Sequence, residues 1–130
     1  MRRMGDTATT CVPATRLRLR LLFGEDTMLG PGKAELLERI RDSGSISAAG
    51  RQMQMSYKRA WMLVEEMNAA FRDPLVDSSR GGVNGGGARL TAAGAAVLAH
   101  YRNVEAKAAE AGAEEIAALR HMLRVIPGEK

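Results

Sequence analysis

The sequence predicts a mainly α-helical fold with a small β wing, and three observations favour this fold class. Residues 44–61 carry two short helical patterns joined by a tight connection. Residues 75–90 carry two strand-like segments around a glycine-rich turn, and residues 91–123 carry a long helical periodicity. Aromatic residues make up only 4% of the 130 residues, so the core must be built from Leu, Met, Ala and Val.

The first of the two short helices is indicated by the spacing of its apolar residues. Ile46, Ala49 and Met53 are spaced i, i+3 and i+7, so they share one helix face. Either Ser45 or Ser47 is suited to cap this helix, because a hydroxyl oxygen accepts hydrogen bonds from the free amides of a first turn. Small residues in the middle of the helix predict close approach of a neighbouring helix.

The second short helix begins with polar and basic side chains. Ser56 is expected to cap it, so that its first exposed turn carries Tyr57, Lys58 and Arg59. This layout is typical of a helix-turn-helix whose second helix presents its N-terminal residues to a DNA groove. Taken alone, the segment also fits any pair of packed helices in a small bundle. Trp61 lies one position off the inward stripe and is expected to pack against the first helix or a strand.

The N-terminal segments predict a tail and a short hairpin. Residues 1–15 have no periodicity and are expected to form a disordered basic tail. Residues 16–21 alternate between arginine and leucine, which favours an edge strand with its arginines in solvent, because a leucine at every second position demands burial. An arginine-rich nucleic-acid patch is the alternative. Residues 23–26 predict a turn, and residues 27–29 a short partner strand.

The next helix is expected to begin near Pro31 and to end at Ser43–Gly44. Its inner face carries Leu36, Leu37 and Ile40. After the helix-turn-helix, residues 75–79 and 88–90 predict the two strands of a hairpin. A hairpin directly after such a helix is a wing, and its glycine-rich tip would let the backbone lie close to a sugar-phosphate chain.

The C-terminal region predicts a long helix capped by Thr91 and interrupted near Gly112. At ~1.5 Å per residue such a helix spans about 45 Å, which is too long to bury against so small a domain. A second copy of the chain is the simplest partner. The apolar residues expected to form this dimer interface are Val97, Tyr101, Val104, Ala108, Ile116, Leu119 and Leu123. The predicted domains are therefore the tail at 1–15, a winged helix-turn-helix at 16–90 and a helical dimerisation region at 91–130.

Charge and composition narrow the function classes. The formal net charge is +4 and the sequence pI about 9.7, which suits a nucleic-acid partner. Cys11 is the single cysteine, which excludes an internal disulfide, and no apolar run approaches a membrane span. We therefore expect a cytoplasmic protein. His100 and His121 have no paired carboxylate pattern, so we expect no catalysis, no metal site and no cofactor.

The order and spacing of six motifs resemble the N-terminal DNA-binding domain of ModE-type molybdate-responsive regulators, which is similar to the winged helix of LysR-type regulators. The motifs are Gly-Pro-Gly at 30–32, Gly-Ser-Ile-Ser-Ala-Ala at 44–49, Met-Ser-Tyr-Lys-Arg-Ala-Trp at 55–61, Pro-Leu-Val at 74–76, the glycine-rich tip at 81–87 and Ala-Arg-Leu-Thr-x-x-Gly at 88–94. The resemblance implies a dimeric winged helix in which residues 56–59 face the major groove, the wing reaches the neighbouring backbone or minor groove, and the first and last helices hold the dimer.

The chain departs from the resemblance at two points. Gly50 stands where the family usually has alanine, at a cost of about 1 kcal/mol in helix propensity. The oxyanion-binding domains that follow in full-length ModE are expected to be absent, because the chain ends at Lys130. We therefore carry over the fold and DNA binding, but not molybdate sensing by this chain.

The function expected from the sequence is a homodimeric, sequence-specific transcriptional regulator bound to double-stranded DNA, with molybdenum- or oxyanion-related genes as candidate targets. Basic side chains would neutralise phosphates or contact guanine, while hydroxyl groups would fix the register on DNA. A protein-interaction module that uses the winged helix and the long helix for docking is the alternative. The residues expected to contact DNA are Ser47, Arg51, Ser56, Tyr57, Lys58, Arg59, Arg80 and Asn84.

Overall fold

The structure is a computed structural model that describes residues 15–79 and 87–124. Residues 18–105 form one compact unit, and the described residues outside that range belong to a second. The prediction of a mainly helical fold with a small β wing is confirmed. In chain order the elements are β1 (Leu21–Phe23), β2 (Thr27–Leu29), α1 (Pro31–Ser43), α2 (Ile46–Gln52), α3 (Tyr57–Ala70), β3 (Val76–Ser79), β4 (Gly87–Leu90), α4 (Ala92–Ala111) and α5 (Ala113–His121).

The arginine–leucine segment follows its predicted burial pattern but not its predicted strand length. Leu17 and Leu19 are half-buried, while the arginines between and beside them are exposed. Strand pairing begins only at Leu21, opposite Leu29, and continues for three residues. The strand is this short because β2 itself has only three residues with which to pair.

Helix α1 begins and ends where the sequence predicts. Pro31 occupies its first turn, and Gly44 follows its last residue with a φ of 73°, a left-handed conformation that favours glycine. The Gly44 amide donates to the carbonyl oxygen of Ile40 at 2.8 Å. The predicted inner face of this helix is fully buried, and it lies at the centre of the core. The largest fully buried side chains are Tyr101, Leu36, Leu37, Ile40, Met67, Leu75 and Val64.

Helices α2 and α3 pack closely through small residues. A Cβ atom at Gly50 would lie 3.0 Å from the Cβ of Ala60, so the close approach predicted for this position is confirmed. Between the helices, Gln54 has a φ of 61°, and the Met55 amide donates to the Gly50 carbonyl oxygen at 2.9 Å. A left-handed residue of this kind reverses the chain within a few residues. The predicted tight turn between two helices is thereby confirmed.

Hydrogen bonds from Asn68, near the end of α3, hold the start of the second hairpin. Its Oδ1 accepts hydrogen bonds from the amides of Leu75 (2.8 Å) and Val76 (3.0 Å), and its Nδ2 donates to the Val76 carbonyl oxygen at 3.2 Å. Strand β3 then pairs antiparallel with β4, with Val76 opposite Leu90. Both strands lie where the sequence predicts them. Asn68 therefore sets the start of β3 relative to the helix that precedes it.

Helix α4 is capped by Thr91, as predicted, because the Thr91 hydroxyl accepts a hydrogen bond from the Gly94 amide at 2.9 Å. Gly94 itself lies against the residue just before β3, where an added Cβ would overlap the Leu75 carbonyl oxygen. The predicted interruption near Gly112 also occurs, since Gly112 separates α4 from α5. Among the described residues, no helix combines the length and apolar character that a membrane span requires.

The placement of Tyr101 differs from the expectation that it lines a dimer surface. Only 1% of this residue is exposed, and its hydroxyl donates to the Leu19 carbonyl oxygen at 2.7 Å. Val97 also packs against the core. The apolar stripe of α4 therefore faces the core of its own chain in its first turns, because the compact unit extends to Glu105.

Candidate nucleic-acid interface

The first turn of α3 presents basic and polar groups to solvent. Ser56 caps this helix as predicted, since its Oγ accepts from the Arg59 amide at 3.0 Å. Tyr57, Lys58 and Arg59 are exposed, Tyr57 by 56%. The first turn contains no acidic residue, so the positive end of the helix dipole and the two cations act in the same direction. This end of α3 is suited to an anionic partner.

Helix α2 places two polar side chains on its exposed side. Its cap is Ser45, whose Oγ accepts from the Ala48 amide at 3.0 Å, which decides between the two predicted caps. Ser47 is thereby free of capping, and its Oγ accepts instead from Arg51 Nη1 at 2.9 Å. This bond holds the exposed Arg51 guanidinium over the first turn of α2. Both groups retain further donors for an external acceptor.

Helix α3 has three other faces besides the one buried in the core. Because each residue advances about 100° around the axis, Tyr57 and Arg59 lie about 200° apart. Tyr57 and Trp61 occupy one flank, where their rings stack with centroids 6.3 Å apart and planes 10° apart. Arg59 and the partly buried Leu63 occupy the opposite flank. Lys58 points away from the core between the two flanks, followed one turn later by Met62, which is 44% exposed.

The second hairpin lies beside the flank that carries the stacked rings. A cleft of about 230 Å³ separates the start of α2, the start of α3 and the hairpin. Ser78 pairs opposite Ala88 and Ser79 opposite Gly87 in the hairpin strands that line it. Trp61 also lines this cleft and packs against the core. The residues that line the cleft are Ser45, Ile46, Ser47, Tyr57, Trp61, Ser78, Ser79, Gly87 and Ala88.

Two of the predicted DNA-contacting residues, Arg80 and Asn84, lie outside the described residues. The other six all lie on α2 or at the start of α3. Lys58 and Arg59 have no ion-pair partner among residues 15–79 and 87–124, whereas Arg39 and Arg89 are paired with Glu35 and Asp77. Two cations without an ion-pair partner in the described residues therefore lie at the exposed start of α3.

Metal-ligating side chains do not cluster in the described part of the chain. Within it, no group of three or more His, Cys, Asp or Glu side chains converges closely enough to hold a metal ion. Its ionic contacts include exposed pairs between neighbouring residues. Arg41 and Asp42 contact each other at 2.9 Å, and this hydrogen bond lowers the pKa of the Asp42 carboxyl.

Comparison with known families agrees with this geometry. Residues 32–95 match the model of bacterial regulatory helix-turn-helix proteins of the LysR family. The match runs from the first turn of α1 through α3 and the β3–β4 hairpin into the start of α4. The matched residues, about half of the chain, are therefore similar to a LysR-family helix-turn-helix domain. In this domain, α3 is the recognition helix and the β3–β4 hairpin is the wing.

Curated relatives of this chain include a molybdenum-pterin-binding protein and a transcriptional regulator. The chain is 44% identical over 82 residues to the molybdenum-pterin-binding protein MopB of Rhodobacter capsulatus, which covers 63% of this chain and 30% of MopB. It is 37% identical over 83 residues to the DNA-binding transcriptional dual regulator ModE of Escherichia coli strain K12, which covers 64% of this chain and 32% of that regulator. The chain thus spans about a third of the length of these relatives.

A solved structure shares the fold. The DNA-binding domain of CbnR, in a complex with DNA, aligns with a TM-score of 0.54 at 24% sequence identity. The alignment covers 68% of this chain and 97% of that domain. At this identity the similarity shows the winged helix-turn-helix fold alone.

Sequence reasoning did not select several residues that the structure brings to this surface. Ser78 and Ser79 line the cleft beside the recognition helix, and their polar, strand-like pattern was the available signal. Met62 is exposed because its position, four residues after Lys58, falls on the outward face. A helical wheel drawn from Lys58 would have identified Met62, since i and i+4 share a face.

Proposed function

We propose that this protein is a sequence-specific, DNA-binding transcriptional regulator that acts as a homodimer. The observation that carries the proposal is the exposed, basic first turn of the recognition helix, with Tyr57, Lys58 and Arg59 beside the wing strands. The name of the Escherichia coli relative describes a DNA-binding transcriptional dual regulator, which supports the same function. The CbnR domain that shares the fold was solved in a complex with DNA, which supports DNA as the partner. We infer a cytoplasmic location, where bacterial DNA is accessible.

The roles of the side chains follow from their faces on the recognition helix. Lys58 points into the groove and is suited to a guanine O6/N7 contact, while Arg59 on the flank neutralises phosphate. Ser56 and Tyr57 fix the register through hydrogen bonds. The exposed Met62 is suited to an apolar contact with a thymine methyl group. On the neighbouring helix, Ser47 and Arg51 together bind a phosphate, and Arg80 and Asn84 of the wing complete the proposed set.

The dimer is proposed from the apolar residues of the C-terminal helices. Leu119 is 63% exposed and Leu123 is close to half exposed, and none of the residues of α5 is buried. A single nine-residue helix of this kind is marginal in water without a partner surface. We therefore propose that Val104, Ala108, Ile116, Leu119 and Leu123 pack against a second copy. Tyr101 and Val97 are omitted from this surface because they pack into the core of their own chain.

The experiment that tests DNA recognition is a gel-shift titration of the purified chain against genomic fragments and a random duplex at physiological salt. We expect at least one fragment to bind more tightly than the random duplex by a factor of about 10³ or more. Sedimentation equilibrium on the same sample is expected to give twice the chain mass. If no fragment exceeds the random duplex, the proposal of a specific regulator fails.

Molybdenum- or oxyanion-related genes are the proposed targets. The names of the relatives support this choice, since MopB is described as a molybdenum-pterin-binding protein. Selection of bound fragments from the source genome, followed by sequencing, tests it directly. Enrichment of sites upstream of molybdenum or oxyanion transport genes is the expected result, and random distribution of the selected fragments would exclude it.

Protein docking is the second candidate function, because the exposed apolar side chains of Leu119, Met122 and Leu123 could recruit a different protein. A docking module of this kind would remain monomeric when purified alone and would bind duplex DNA without a steep dependence on salt. The same sedimentation and gel-shift measurements therefore separate the two functions.

A further inference from the structure

The arginine–leucine segment before β1, residues 16–20, carries exposed cations outside the recognition helix. Leu17 and Leu19 are half-buried, whereas Arg18 and Arg20 are exposed. The hydrogen bond from the Tyr101 hydroxyl to the Leu19 carbonyl oxygen, 2.7 Å long, anchors the segment to α4. Arg18 and Arg20 therefore project from an anchored backbone and not from a free tail.

These two arginines line a cleft of about 350 Å³ together with Arg59 of the recognition helix. The stem of Arg20 lies over Gly30, where an added Cβ would come within 3.2 Å of the Arg20 Cγ. Lys33 also lines the cleft, but its Nζ donates to the Met28 carbonyl oxygen at 3.0 Å and contacts Glu66 Oε1 at 3.3 Å. Lys33 thus stabilises the cleft wall.

The three arginines of this cleft are uncompensated. Among the residues that the structure describes, no carboxylate or other hydrogen-bond acceptor contacts the guanidinium group of Arg18, Arg20 or Arg59. Glu66 contacts Lys33 of the cleft wall. The first turn of α1, which forms part of the wall, contains no acidic residue. The cleft is therefore a concentrated positive patch that lacks its own counter-charge.

The position of the cleft relative to the recognition helix identifies its partner. Arg59 and Leu63 line the cleft, whereas Tyr57 and Trp61 line the wing side, about 200° away around α3. A helix is ~10–12 Å across and the major groove is about 12 Å wide, so a helix in the groove meets a phosphate wall on each flank. The wing lies on one flank of the recognition helix, and the cleft lined by the arginines lies on the other.

We propose that Arg18 and Arg20, continued by Arg59, bind the sugar-phosphate backbone of the DNA strand on the flank opposite the wing. This proposal rests on the proposed function, since it requires the recognition helix to enter the major groove. The alternating segment then combines the two interpretations of its pattern, a segment with buried leucines and an arginine-rich nucleic-acid patch. Its leucines pack inward, and its arginines extend the phosphate contacts beyond the helix-turn-helix.

The salt dependence of DNA binding tests this proposal, because each phosphate contact contributes about 0.9 to the slope of log K against log salt concentration. The test variant is Arg18→Gln with Arg20→Gln in the full chain. The matched control is Arg72→Gln with Lys107→Gln, which removes the same charge from exposed positions outside the cleft. We expect the test variant to lower the magnitude of the slope by about 2 per protomer relative to the control. Its affinity should fall by the same factor on a selected fragment and on a random duplex.

Several outcomes separate failure of this proposal from failure of the proposed function. If the wild-type chain does not bind any fragment specifically, the proposed function itself fails. If the wild-type chain binds but the test variant keeps the slope of the control, the phosphate contact is overturned and the function stands. Calorimetry with inorganic phosphate, without DNA, supplies the last arm. Phosphate binding that is lost in the test variant while the DNA slope is unchanged would make the cleft a free-anion site, which also overturns the proposal.

Discussion

The guanidinium of Arg102 in α4 holds the carboxylate of Glu38 in α1 through two parallel hydrogen bonds, Nε to Oε2 and Nη2 to Oε1, each 2.9 Å long. Its Nη1 also donates to Glu105 Oε1 at 2.6 Å. The hydrogen bond to Glu38 raises the pKa of Arg102, so the guanidinium remains charged. This ionic contact joins the first and the last helix of the compact unit.

Replacing Arg102 with glutamine should lower the free energy of unfolding by about 1 kcal/mol. A bidentate charged pair is stronger than an ordinary surface pair, but both side chains are about a third exposed and so are partly screened. Urea denaturation of a double-mutant cycle with Glu38→Gln measures the coupling. The exposed Arg41–Asp42 pair is the matched control. A coupling no larger than that of the control pair would contradict a joining role for Arg102.

Gly94→Ala should destabilise the chain by about 1–3 kcal/mol, since a methyl group there overlaps the Leu75 carbonyl oxygen and must displace α4 or β3. Gly32→Ala is the matched control, because Gly32 also lies in a helix and an added Cβ there meets no atom within 4 Å. That control should be neutral or stabilising by up to about 1 kcal/mol. Thermal unfolding of the two variants compares them directly, and equal midpoints would show that α4 does not require this close approach.

The Tyr101 hydroxyl predicts an alkaline loss of stability. Burial raises the pKa of Tyr101 above its usual value. The folded chain therefore retains a proton that the unfolded chain loses, so the stabilisation is complete below about pH 10 and declines as the pH rises further. Tyr101→Phe lacks this titration and also loses the hydrogen bond to Leu19, which is worth about 1 kcal/mol. The difference in unfolding free energy between wild type and variant should be constant from pH 7 to 9 and should narrow above pH 10.

Lys58→Ala tests the outward face of the recognition helix. If Lys58 contacts a guanine, the variant should lose about 1–3 kcal/mol of binding on a selected fragment and relax the preference at one base pair. Fluorescence anisotropy with single-base variants of the fragment measures both effects. A uniform loss on every duplex would instead assign Lys58 to a phosphate, and an unchanged affinity would remove it from the interface.

The parts of the fold that the sequence predicted correctly depend on local chemistry. Ser56 and Thr91 cap helices because their hydroxyl groups accept from amides three residues on, and Gly44 ends α1 because it adopts a left-handed conformation. The contacts that could not be predicted join residues far apart in sequence. Tyr101 contacts Leu19 across 82 residues, and a helical stripe alone does not distinguish burial in its own core from burial against a second copy.

The candidate DNA-binding surface could also be predicted only in its local features. The exposed start of the recognition helix follows from the cap at Ser56, but its flanks depend on tertiary packing. Ser78 and Ser79 reach the cleft only because Asn68 fixes the start of the wing strand. The sequence predicts a strand from Arg16, but strand pairing begins only at Leu21. The alternation of arginine and leucine predicts which residues are buried, and it does not predict how many residues of β2 are available for pairing.

Site-specific photo-crosslinking tests the central claim most directly. A chain with Tyr57→benzoylphenylalanine, at the exposed start of the recognition helix, is irradiated with a selected duplex and compared with a chain with Leu119→benzoylphenylalanine, at an exposed position of α5. We expect a covalent DNA adduct at position 57 and none at position 119. An adduct at position 119 without one at position 57 would contradict the placement of the recognition helix in the groove.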